Sequence, residues 1–94
     1  MYTQGTALCS PGANAESGNF LVVLEVAKKG DRPICMVSPA LASMVQRPYV
    51  GPVDTTILDA LVPVALESAA FQSVVSELTG EDRRQVRRLR PRSR

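Results

Sequence analysis

Asn19-Phe20-Leu21-Val22-Val23-Leu24-Glu25-Val26-Ala27 is the stretch on which the fold turns. Its alternation puts Phe20, Val22, Leu24 and Val26 on one side of a β-strand and Leu21, Val23 and Glu25 on the other. From Phe20 to Leu24 both sides are apolar, so either both are covered or one forms an interface. Lys28-Lys29-Gly30-Asp31 follows as turn chemistry, with Gly30 free to take positive φ. Pro33 to Val37 reads as a second strand. Pro33 has no N–H for a ladder and suits a strand entry or a sheet edge. Two strands are marginal in water, so a third strand, a packed helix or a second chain must complete the layer.

Working outward, residues 1–18 are rich in Gly, Ser, Ala, Asn and Thr and lack sustained periodicity. They read as a loosely ordered segment, with Thr6 to Cys9 as a short edge strand and Ser10-Pro11-Gly12 as a break. On the other side, Ser38 is placed to cap a short helix over Ala40 to Val45, with Pro39 at its first position. Arg47 to Pro52, with two prolines and a glycine, reads as a rigid connector. Asp54 or Thr55 can cap the next helix, whose apolar positions from Ile57 to Leu78 fit helical spacing. Pro63 should kink or split it near Leu61 and Val62, and Gly80 is placed to end it. Thr79 with Asp82 three residues later resembles a capping box for a last helix over Glu81 to Leu89, stopped by Pro91. The expected fold is α+β: a hairpin or three-stranded sheet packed against a kinked C-terminal helical segment. It divides into residues 1–18, an α+β body over 19–80 and an arginine-rich helix and tail over 81–94.

Ninety-four residues make one domain at most, with a modest core. Aromatics are limited to Tyr2, Phe20, Tyr49 and Phe71, so Val, Leu, Ala and Ile must build that core. No run of eighteen apolar residues is present, and no basic segment leads into an apolar one. The expectation is a soluble protein, intracellular or in a virion, with no membrane partner. Histidine is absent, which removes the commonest general base, and the serines lack a nucleophile-elbow setting. Two cysteines, Cys9 and Cys35, stand far apart with no zinc spacing and read as reduced thiols, Cys35 as a small buried hydrophobe. No glycine-rich phosphate loop is present. Neither catalytic residues, metal ligands nor a cofactor are expected.

Charge is the most informative feature. Residues 83–94 hold Arg83, Arg84, Arg87, Arg88, Arg90, Arg92 and Arg94 and no acid, a charge of +7. Residues 1–82 hold four bases against nine acids, a charge of −5. An acidic body with a basic arm is the layout of an interaction tail. Guanidinium is planar, permanently charged and able to grip phosphate with two parallel hydrogen bonds, so a nucleic-acid backbone or another polyanion is the natural partner. The competing readings are a tail docked on an acidic protein surface and a plain solvated tail. A helix-turn-helix is only loosely imitated, because Glu81 and Asp82 sit where DNA would be read. Phe20, Val22, Leu24, Val74 and Leu78 are candidate interface residues for a homo-oligomer or a partner protein. The sequence thus points to a non-catalytic binding or assembly protein, such as a viral or phage structural or accessory protein. The alternative is a protein–protein adaptor or inhibitor working through its apolar hairpin or helix surface.

Overall fold

A computed structural model describes residues 3–12, 19–26, 30–42 and 49–89. The elements run β1 (Ala7–Cys9), β2 (Leu21–Glu25), β3 (Ile34–Val37), β4 (Tyr49–Pro52), α1 (Thr55–Asp59), β5 (Val62–Pro63), α2 (Ser68–Val75) and α3 (Gly80–Leu89). The class is α+β, but the sheet is larger than a hairpin. Five antiparallel strands lie in the order β4-β3-β2-β1-β5. The hairpin of β2 and β3 forms as its residues require, with Gly30 at φ 83°. Lys28 and Lys29 of that turn lie outside the described residues.

Period-two alternation sorts the sheet into two apolar faces, and both are covered within the chain. Leu8, Leu21, Val23, Cys35 and Val37 pack on one face against Leu41, Ala42, Val53, Leu58 and Leu61 from the turn after β3 and from around α1. Phe20, Val22, Leu24 and Met36 pack on the other against Phe71, Val74 and Leu78 from α2 and its following turn, and against Val86 from α3. A register shift between Val23 and Glu25 marks a bulge at Leu24, at the end where β2 leaves the ladder.

Several expectations are corrected. Ala7–Cys9 is not an edge strand: it lies between β2 and β5, so this part of the N-terminal segment belongs to the sheet. The ladder extends from there, with the Gly5 N–H donating to the Val23 carbonyl at 2.8 Å and Val23 N–H to the Thr6 carbonyl at 2.9 Å. Tyr49–Pro52 is a strand, not a connector. It lies at the sheet edge, where proline is tolerated, and Gly51 leaves room for the Tyr49 ring. A Cβ on Gly51 would sit 2.8 Å from that ring. Ser38 does not cap a helix. Its Oγ accepts the Phe20 N–H at 3.0 Å and its own N–H donates to the Phe20 carbonyl at 3.0 Å, tying the ends of β2 and β3 together. The rest of the expected helix, residues 43–45, lies outside the described residues, as do Arg47 and Pro48.

Of the two outcomes expected at Pro63, a kink or a split, the chain splits: α1 and α2 stand apart, with the unexpected strand β5 between them. Pro63 disfavours helical backbone at Val62, and the chain extends instead through the β-branched Val62 and Val64 on either side of it. Pro63 then sits on an edge strand, where the Val64 N–H donates to the Ala7 carbonyl at 3.0 Å and the missing proline N–H costs no ladder bond. Asp54 caps α1, accepting the Thr56 N–H at 3.3 Å. Gly80 opens α3 and does not close α2.

Candidate nucleic-acid interface

Helix α3 starts on Thr79, whose Oγ1 accepts the Asp82 N–H at 3.4 Å, as the capping pattern requires. Glu81 and Asp82 occupy its first turn and Arg87 and Arg88 its last. Both placements suit the helix dipole, so part of the arginine pattern serves the helix itself. Val86 is 1% exposed and docks the helix on the sheet face built from Phe20, Val22, Leu24 and Met36. At 3.6 residues per turn, an inward Val86 throws Arg84 and Arg88 to the opposite side, with Arg87 beside them. All three are exposed. Arg84, Arg88, Gln85 and Glu81 line a shallow groove of about 330 Å³ along the outer face.

Arg83 stands apart from this set. It is half-buried, and its Nη2 donates to the Ser76 carbonyl at 3.0 Å and the Leu78 carbonyl at 3.1 Å. These carbonyls lie where α2 ends, a place that favours a cation. Its Nε is buried with no partner among the described residues. Arg83 is therefore an inward clasp between α2 and α3, and the expectation that it faces a polyanion is corrected. Charge counting could not separate it from its neighbours; the helical phase relative to Val86 could have, because residue 83 lies close to the buried side. Arg90, Arg92 and Arg94 lie outside the described residues.

The expected apolar interface is also corrected. Phe20, Val22, Leu24, Val74 and Leu78 are each at most 4% exposed, because α2 and α3 fold back over that face of the sheet. They are core, and none remains to meet another chain from this surface. Among the described residues the large apolar side chains left exposed are Val26 and Val62.

The remaining chemistry is sparse. Cys9 and Cys35 are both buried. They sit on β1 and β3 with β2 between and are offset along the strands, so their Cα atoms are more than about 10 Å apart, beyond disulfide reach. Burial pushes the Cys35 thiol up to about 12. No group of three or more His, Cys, Asp or Glu gathers to hold a metal ion among the described residues. Within the same residues no helix is long and apolar enough to cross a membrane. A second concavity of about 450 Å³ lies beside the β2–β3 turn, lined by Glu25, Asp31 and Arg32 with Val26, Gly30, Ile34 and Pro52. Its charges are of mixed sign.

Fold and site together define a small α+β protein with a docked basic helix. Comparison with known proteins adds no relative: no family model, no curated protein and no solved structure matches the chain.

Proposed function

We propose that this is a non-catalytic binding or assembly protein that contacts the backbone of nucleic acid without reading its sequence. The observation that carries this reading is the outward face of α3. Arg84, Arg87 and Arg88 are exposed together there, on a helix fixed to the body by Val86. The run continues in sequence as Arg90, Arg92 and Arg94. Guanidinium groups in water gain little from isolated ion pairs but hold phosphates through forked hydrogen bonds and counterion release. The acidic remainder of the chain orients the molecule, with its basic end toward a polyanion and its −5 body away. A viral or phage structural or accessory role fits this layout.

The test is binding of labelled nucleic acid by the full chain and by its Arg84→Gln/Arg87→Gln/Arg88→Gln variant across a salt series. Log affinity should fall linearly with log salt, and the variant should lose about 2–3 units of that slope. These positions are the right ones to change because they are exposed. Deleting 83–94 would also remove Val86 from the core and Arg83 from its carbonyls, and would confuse lost binding with lost folding. Binding that is independent of salt, or untouched by the triple substitution, would refute the proposal. Capture of an acidic protein with no affinity for nucleic acid would point to the adaptor alternative.

A further inference from the structure

Resting on the reading just given, we infer that the polyanion is a double-stranded nucleic acid held along its phosphate backbone, and not a single strand. Two independent features lead there. The first is where the aromatic side chains go. Proteins that hold single strands without sequence preference stack the bases on aromatic rings. Here Phe20 and Phe71 are committed to the core. The ring of Tyr49 lies against Gly51, and its hydroxyl donates to the Pro52 carbonyl at 3.0 Å. Residues 80–94, the whole basic segment, contain no aromatic residue. Tyr2 lies outside the described residues.

The second feature is the rigidity of the cation array. Val86 anchors α3 from beneath, and Arg83 clasps it to the end of α2. Arg84 and Arg88 are thereby held one turn apart, about 6 Å along the axis, with Arg87 inside the same arc of about 100°. Cations carried on a fixed helix backbone match phosphates whose spacing is already fixed by a duplex. A single strand would have to be ordered against them, and without stacking only a weaker counterion release offsets that loss of entropy. Glu81 lines the same groove at the N-terminal end of α3 and repels phosphate there. Contact is thereby kept to the stretch from Arg84 onward, along the backbone and away from the base edges.

The experiment compares duplex DNA, duplex RNA and the corresponding single strands, all of equal length, with the full chain at one salt concentration. The expected result is binding to at least one duplex about tenfold tighter than to either single strand, with the two duplex arms reporting which helix form is preferred. The Arg84→Gln/Arg88→Gln variant should lose about 1.8 units of log–log salt slope on the preferred duplex. Single strands bound as tightly as duplexes, or tighter, would overturn the inference while leaving the polyanion reading in place. A duplex preference whose slope the double variant does not change would overturn the assignment to Arg84 and Arg88. Failure of every probe to bind would overturn the polyanion reading itself.

Discussion

Ser38 is fully buried, and its hydroxyl oxygen is the acceptor for the N–H of Phe20, eighteen residues earlier. Removing the hydroxyl leaves that N–H without water and without a partner. Ser38→Ala should cost about 1–3 kcal/mol. Urea unfolding would show it as a lowered midpoint with an unchanged slope, and an unchanged midpoint would contradict the role. The chemistry of this residue was legible in the sequence: a serine oxygen at a strand end accepts a backbone N–H. The partner was not, because helix capping is local and this bond is not. Arg83 repeats the lesson. Its charge is plain from the sequence, but the carbonyls it serves belong to the end of another helix.

Among the elements, β2, β3 and α3 were readable because each carries several agreeing local signals. β2 and β3 have two-residue alternation around Gly30, and α3 has Thr79, its early acids and its late arginines. β4 and β5 were not readable. Pro52 and Pro63 speak against a strand by local rules, and only a place at a sheet edge makes them acceptable. Pro63 reads as a helix breaker, but that it diverts the chain into a new strand depends on β1 waiting beside it. For α3, the inward Val86 separates docking from charge. Val86→Asp should release the helix, so that the amide protons of 80–89 exchange much faster, because an unpaired buried carboxylate is strongly disfavoured. Arg84→Gln should leave that protection unchanged. Equal protection in the two variants would mean that Val86 does not anchor α3.

On the scale of the whole molecule, the sheet is a partition with apolar packing on both sides, and β3 lies inside it. Cys35 on β3 therefore keeps its proton in the folded state up to a pH of about 12, against an ordinary value of 9.0. The unfolded chain gives that proton up earlier. This thiol leaves stability untouched below about pH 9 and lowers it by about 1.4 kcal/mol per pH unit between about pH 9 and 12. Denaturant titrations across that range should fall more steeply for the native chain than for Cys35→Ala, by about that slope. Parallel curves would contradict it. The two-sided apolarity of residues 20–24 and the charge segregation were both visible in the sequence. What covers each side was not, because the covering residues lie up to sixty-six positions downstream, at Val86. This separation governs how the chain matures. As synthesis proceeds, one side of the partition can close soon after α1 emerges. The other must stay wet until α2 and α3 arrive, so a nascent or prematurely ended chain carries Phe20, Val22, Leu24 and Met36 as an adhesive surface. The helix that presents arginine to the outside is thus also a cover for that adhesive surface.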